Sequence, residues 1–325
     1  MTIRILGAGV AGLCLATELT ARGHHVEVID PAGACGPHGC SWWAGGMLAP
    51  HCEAIETEEP IERFGLEASD WWQSHTGEVE RKGTIVLALD RDRGELSRFA
   101  RRSRNHRSLD SKAIAELEPD LAGRFQAGLF FETEGHLAPR KALLSLQDNL
   151  KSSGVGFYAA PPLSTPDLTI DARGLAARDA LPDLRGVRGE MLLLHCPNLS
   201  LSRPIRLLHP RIPLYIVPRG NGLFMLGATM IESDRRGPVT ARSLLEMLSA
   251  AWALHPNFGE AEVIELGADA RPAFPDNLPR LRRSGSTLYV NGLYRHGFLL
   301  APALARMAAD HIETGIIPHF MDEVS

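Results

Sequence analysis

The stretch Ile3-Arg4-Ile5-Leu6-Gly7-Ala8-Gly9-Val10-Ala11-Gly12 opens the chain and decides its fold. Ile3 to Leu6 predicts a strand, the glycines a tight turn, and Leu13 to Gly23 a helix closed by a C-terminal glycine. Val26-Glu27-Val28-Ile29-Asp30 then predicts a second strand with a carboxylate at its C-terminal end. Glycines in the order GxGxxG are common in loops. Between a strand and a helix, with an acid closing the next strand, they form a dinucleotide-binding fingerprint, and the bland alternative of a ligand-free βαβ unit loses ground. Gly7 allows the turn, Gly9 lets a pyrophosphate approach the backbone, and Gly12 lets helix and strand touch. The phosphates are expected at the helix N-terminus, beside Val10 and Ala11, where unpaired N–H groups and the helix dipole favour an anion. Asp30 is expected to accept from a ribose hydroxyl and to disfavour a 2′-phosphate.

Composition bounds the remaining choices. The 325 residues are enough for two domains. Hydrophobic residues at 44% and charged residues at 22% are the balance of a soluble globular protein. A net charge of −5 gives no footprint for nucleic acid, and the Arg-rich run from Arg98 to Arg107 reads as one solvated face. No apolar segment approaches the roughly 18–20 residues of a membrane span. The apolar start lacks the charged region that opens a secretory leader. Five cysteines at irregular spacing point to a reducing cytoplasm. Cys35, His38, Cys40, His51 and Cys52 crowd together, but their spacing matches no zinc pattern, so no metal is expected.

Beyond the first unit the pattern changes twice. A Gly/Pro-rich loop from Ala32 to Gly39 leads into Ser41-Trp42-Trp43-Ala44-Gly45-Gly46-Met47-Leu48-Ala49-Pro50, whose small residues permit close approach of a ligand. Helices are predicted from Phe64 to His75, Ala113 to Leu117 and Lys141 to Lys151, with strands at Thr84 to Asp90, Gly128 to Phe131 and Asp167 to Asp171. Between Gly189 and Ala268, strands at Met191–Leu194, Leu214–Val217, Leu223–Leu226 and Val263–Leu266 suggest a mainly antiparallel block, with one helix from Ala241 to Leu254. The C-terminus returns to α/β character, with a strand through Asn291 and a helix from Ala301 to Glu313. The expected architecture is therefore α/β: a Rossmann-like dinucleotide domain (1–82, 136–188 and 269–325) carrying an inserted α+β domain (83–135 and 189–268).

These pieces resemble the FAD-dependent D-amino-acid oxidase and glycine oxidase family, most nearly its bacterial glycine oxidases of thiamine biosynthesis. The resemblance runs nearly end to end. It rests on the N-terminal fingerprint, Ala44–Pro50, Tyr215-Ile216-Val217-Pro218-Arg219 leading to Gly227-Ala228-Thr229, Arg271-Pro272, and Asn291-Gly292-Leu293-Tyr294-Arg295-His296-Gly297-Phe298-Leu299-Leu300-Ala301-Pro302. It implies a glutathione-reductase-type fold and non-covalent FAD held by Gly7, Gly9, Val10, Ala11, Gly12, Asp30, Ser41, Ala44, Gly45, Gly46, Met47, Gly174, His296, Gly297, Phe298, Leu299 and Leu300. At the last of these segments a helix N-terminus would stabilise the anion of a reduced flavin. Arg295 is expected to grip a substrate carboxylate, with Arg271 as a second cation, Tyr215 near the carboxylate and Met47 beside the flavin.

The implied chemistry is oxidative deamination of glycine or a small amino acid or amine. Hydride passes to flavin, the imine hydrolyses to an oxo acid and ammonia, and oxygen reoxidises the flavin to give hydrogen peroxide. The family also admits a homo-oligomer. Two alternatives share the motifs: a D-amino-acid or N-methyl amino-acid dehydrogenase feeding a quinone or carrier, and a non-catalytic dinucleotide-binding protein. The chain departs from the family pattern at Pro213, where a histidine is frequent, at the bulky Trp42 and Trp43, and in a short proline-rich stretch from Gly154 to Asp171.

Overall fold

The computed structural model describes residues 1–54, 59–209 and 214–322. Pro213 lies outside the described residues. The opening sequence forms the strand Thr2–Leu6 and the helix Val10–Ala21, and His25–Ile29 returns parallel to the first strand. A six-stranded sheet grows from this pair in the order Arg280–Ser284, Thr287–Asn291, Leu168–Asp171, Thr2–Leu6, His25–Ile29, Gly156–Tyr158. All neighbours are parallel except the hairpin Arg280–Ser284 with Thr287–Asn291. Ile3, Ile5 and Ile170 face helices and are fully buried, as a covered parallel sheet requires. The helices Val10–Ala21 and Gly297–Thr314 share one hydrophobic core with it.

A second, nine-stranded sheet is built from the segments between. Its spine is Arg185–His195, flanked along its whole length by Glu262–Ala273 and on its other side by Leu223–Gly227 and Ile231–Glu232. Leu214–Pro218, Ile205–Leu208, Thr84–Ala88, Ala127–Phe131 and Arg107–Asp110 follow in that order. Pairing is antiparallel apart from Ile205–Leu208 with Thr84–Ala88. The helix Ala241–Leu254 covers one face through Met247, Ala251 and Leu254.

Three differences from the sequence reading share one cause, glycine where atoms must pass closely. The predicted helix from Phe64 to His75 is two helices, Glu59–Gly65 and Ala68–Thr76. A Cβ on Gly65 would stand 2.8 Å from Leu299 Cγ, so glycine lets the helix end against the C-terminal helix. The predicted strand Met191–Leu194 is the 11-residue Arg185–His195, and Val263–Leu266 is the 12-residue Glu262–Ala273. Gly189 and Gly267 interrupt the apolar pattern because a Cβ there would meet the Arg271 guanidinium at 2.2 Å and the Trp43 ring at 2.0 Å. The expected boundaries at 188/189 and 268/269 thus fall inside continuous strands.

The C-terminal helix starts at Gly297, one turn before the predicted Ala301, and contains Pro302. Proline has no N–H to offer the carbonyl four residues back, that of Phe298. The fully buried Trp72 replaces the missing donor: its Nε1 donates to Phe298 O at 2.8 Å. Trp72→Phe is therefore expected to cost about 1–3 kcal/mol in urea unfolding. Pro302→Ala, which restores an N–H, should recover part of that loss in the double variant. An equal cost of Trp72→Phe in both backgrounds would contradict this pairing.

Candidate active site

The carboxyl ends of the parallel strands open into a cleft of about 380 Å³ that is shared with the second sheet. Gly7 turns the chain there with φ +101°, a left-handed value that glycine tolerates. A Cβ on Gly12 would stand 1.9 Å from Gly7 O, so this glycine sets the contact of helix and turn and lies behind the cleft wall. Two helix N-termini converge on the space, at Val10 and at Gly297, where a Cβ would meet Val10 Cγ1 at 3.2 Å. Neither helix carries an acidic residue in its first turn, so both positive dipole ends remain for an anion. Ser41 Oγ accepts from Val10 N at 3.0 Å. Asp30 is buried at the end of its strand, with Oδ2 accepting from Ala8 N and Oδ1 from Ala32 N, each at 3.0 Å. His38 Nε2 lies 2.9 Å from the same Oδ1.

Gly9, Val10, Ala11, Ser41, Ala44, Gly45, Gly46, Met47, Gly174, Tyr215, Arg271, Arg295, His296, Gly297, Phe298 and Leu299 also line the cleft. Leu300, expected at the cofactor, does not: it is fully buried in the core beneath this turn. The Ala44–Met47 segment is held from behind by Arg219, whose Nη2 donates to Gly45 O at 2.6 Å and Nη1 to Leu137 O at 3.2 Å. Burial and the nearby Arg140 charge push Arg219 down to about 10. Trp42 and Trp43 fit because Arg140 stacks on both rings at 5.2 and 5.0 Å and pairs with Glu265 at 2.7 Å. Gly267 leaves space for the Trp43 ring. Met47 and Trp43 pack on Met191, Tyr215, Val217 and Met225.

The centre of the site is a carboxylate that the sequence reading did not single out. Glu53 Oε2 pairs with Arg295 Nη2 at 3.1 Å and lies 3.9 Å from His296 Nδ1. Its Oε1 accepts from the Tyr215 hydroxyl at 2.6 Å and lies 3.8 Å from Arg206 Nη1. Burial alone would raise this carboxyl. Arg295, Arg206 and His296, with the Tyr215 hydrogen bond, override burial and hold it at about 2. Arg206 is itself buried, donating to Cys52 O at 2.7 Å and Tyr215 OH at 3.0 Å and stacking on Phe99 at 4.9 Å. Burial drives the Tyr215 phenol well above its ordinary value, so it stays protonated and donates. Neither Glu53 nor Arg206 belongs to a recognisable motif, although Glu53 follows Ala49-Pro50 by one helical turn.

Arg271 is the contrasting cation. It projects from Glu262–Ala273 across Gly189, and Nη1 donates to Thr229 O at 3.2 Å. It makes no ion pair among the described residues, and burial together with the Arg295 charge pushes it down to about 10. An anion in the cleft would relieve both effects. Cys35, His38, Cys40, His51 and Cys52 assemble no metal-holding group among the described residues.

Glycine turn, paired helix N-termini and a carboxylate closing the second strand together form a cradle suited to FAD. Residues 2–311 match the family model described as FAD dependent oxidoreductase. The chain is 54% identical over 319 residues to a Rhizobium etli protein bearing the name of the thiamine biosynthesis oxidoreductase ThiO, covering 97% of each. It is 26% identical to the glycine oxidase of Pseudomonas putida, over 97% of this chain and 94% of that one. Among solved structures, glycine oxidase from Geobacillus kaustophilus superposes with a TM-score of 0.83 at 22% identity, covering 98% of this chain and 95% of that one. Iminodiacetate oxidase from Chelativorans gives 0.80 at 23% identity, over 96% and 95%. The chain belongs to the FAD-dependent oxidoreductase family of D-amino-acid oxidase type. FAD is its cofactor, and the α/β fold expected from the sequence is the fold observed.

One buried acid behind the site makes stability depend on pH. Glu134 accepts from Cys52 N at 2.7 Å, and burial pushes it up from 4.5 to about 8. A raised acid favours the fold only while protonated, so its contribution falls as pH rises from 4.5 towards about 8. Glu134→Gln, neutral throughout, is expected to remove this part of the slope. Urea midpoints at about pH 5 and about pH 8 should lie closer together in the variant than in the parent. An unchanged difference would refute the assignment.

Proposed function

We propose that this enzyme oxidises glycine, or a similarly small amino acid, to the imine and so serves thiamine biosynthesis. The names of its relatives support the reaction, and one observation carries the site assignment: Arg271 projects into the cleft with no ion pair among the described residues. In this reading the sequence between the dinucleotide segments forms the substrate-facing part, and Arg271 accepts the substrate carboxylate through its planar fork. Arg295, tied to Glu53, adds positive potential from the other side but is less available for a full bidentate grip. Tyr215, committed to Glu53, presents its ring rather than its proton.

The amine then rests among Met47, Met225 and Tyr215, with Cα turned towards the floor of the cleft. FAD, when bound, would supply the electron sink for a hydride from Cα and the route by which oxygen becomes hydrogen peroxide. The protein supplies orientation, and the small volume left by Trp43 and the methionines favours a substrate without a bulky side chain. Among the described residues, the cleft carboxylates Glu53 and Asp269 are held in ion pairs with Arg295 and Arg236 and are not positioned as bases; in this reading the amine enters uncharged. Among the described residues no helix is long and apolar enough to cross a membrane, and all five cysteines are free, in keeping with a place in the cytoplasm.

Purified protein should be yellow, and glycine in air should yield peroxide. Arg271→Lys keeps the charge but loses the fork. It should retain FAD and raise KM for glycine about 100-fold, the scale of a broken buried carboxylate contact. An unchanged KM would remove Arg271 from the substrate site. Flavin reduction without oxygen consumption would reassign the enzyme as a dehydrogenase.

A further inference from the structure

Met230 stands apart from the other methionines. Met191, Met225, Met247 and Met307 are buried, and Met47 and Met321 are half-buried. Only Met1, at the far end of the first strand, and Met230 are exposed, Met230 by 41%. Met230 lines the cleft, and its thioether is gripped on two sides. Arg295 Nη1 donates to Sδ at 3.3 Å, and the Tyr294 hydroxyl donates to it at 3.5 Å. Tyr294 is held in a left-handed conformation, φ +50°, with its N–H on Pro272 O, which fixes the backbone from which both donors extend. The same wall carries Thr229, whose carbonyl accepts from Arg271.

We propose that Met230 is a peroxide-modification site through which the enzyme's own product weakens substrate binding. The inference rests on the oxidase reading above. One oxygen of hydrogen peroxide is transferred to Sδ, the O–O bond breaks, an S–O bond forms, and water leaves. The thioether is oxidised by two electrons to the sulfoxide, and the peroxide is reduced. A thioether is a weak acceptor, whereas a sulfoxide oxygen is a strong one. The new oxygen stands where Arg295 and Tyr294 already donate, so the Arg295 guanidinium must shift to restore hydrogen-bond distance and is then held by the sulfoxide oxygen instead of serving the cleft centre. The substrate carboxylate loses that positive potential. Occupation by substrate hides the same sulfur, so modification proceeds fastest when peroxide accumulates and substrate is scarce. Sulfoxide reduction reverses it.

The test uses the FAD-loaded enzyme in two arms. In the first, glycine is turned over in air with and without catalase; in the second, reagent hydrogen peroxide is added without glycine. Peptide mass spectrometry then locates added oxygen, and KM and kcat are measured after peroxide is removed. Both arms should oxidise Met230 ahead of the half-buried methionines, with catalase protecting in the first. KM should rise about tenfold, the scale of one charge-assisted contact, with kcat changed less than about twofold. Methionine sulfoxide reductases should restore the starting KM. Met230→Leu, compared with its own untreated activity, should show no peroxide-dependent rise in KM. Oxygen placed on other methionines but not on Met230, or an oxidised Met230 with unchanged KM, overturns the proposal. Failure of the first arm alone, with the second intact, means that no peroxide is made and overturns the oxidase reading instead.

Discussion

The contact between Gly12 and the carbonyl of Gly7 is the constraint on which the rest of the molecule depends. A single methyl group at Gly12 would fall 1.9 Å from that oxygen, so any other residue forces the first helix off the first strand. With the contact made, the helix N-terminus points across the sheet's carboxyl edge. The second helix N-terminus, at Gly297, approaches within reach of Val10 from the other end of the chain. Two positive dipole ends with no acidic residue in their first turns mark where a dinucleotide would be favoured. Trp72 keeps the second helix intact across Pro302, which lets that helix begin where the cleft needs it.

The charges at the cleft come from several segments of both parts of the fold, and their arrangement is asymmetric. Glu53 gathers Arg295, Arg206 and Tyr215 into one network in which a single carboxylate faces two guanidinium cations. Removing any member leaves a buried group uncompensated, so the network is rigid for electrostatic reasons as well as steric ones. Arg271 stands outside it with a backbone acceptor and carries the charge that an incoming carboxylate would meet. Among the described residues, Arg295 thus has a carboxylate of its own and Arg271 has none.

Much of this was legible in the sequence. Gly7, Gly9, Asp30, the Ala44–Met47 turn and the Arg295–Gly297 segment all lie on the cleft, with Gly12 behind its wall, because backbone geometry and helix ends leave motifs that are local in sequence. What was hidden depends on distant contacts. Gly189 and Gly267 broke the strand pattern because the chain needed space for Arg271 and Trp43, residues far away in sequence. Glu53 and Arg206 carry no local signature, since their partners come from different segments. The prominence given to Arg295 over Arg271 could not be judged without knowing which of them Glu53 holds. Leu300 shared a motif with cleft-lining residues, but the helical turn sends it into the core.

The central claim, that the cleft orients its substrate by the carboxylate beside a bound flavin, is tested most directly by the reductive half-reaction alone. The FAD-loaded protein is mixed anaerobically with glycine or with methylamine, which has the same amine and no carboxylate, and flavin absorbance is followed. Rapid bleaching by glycine with little or none by methylamine is the expected result. Equal rates for the two amines, or no bleaching by glycine, would contradict the account.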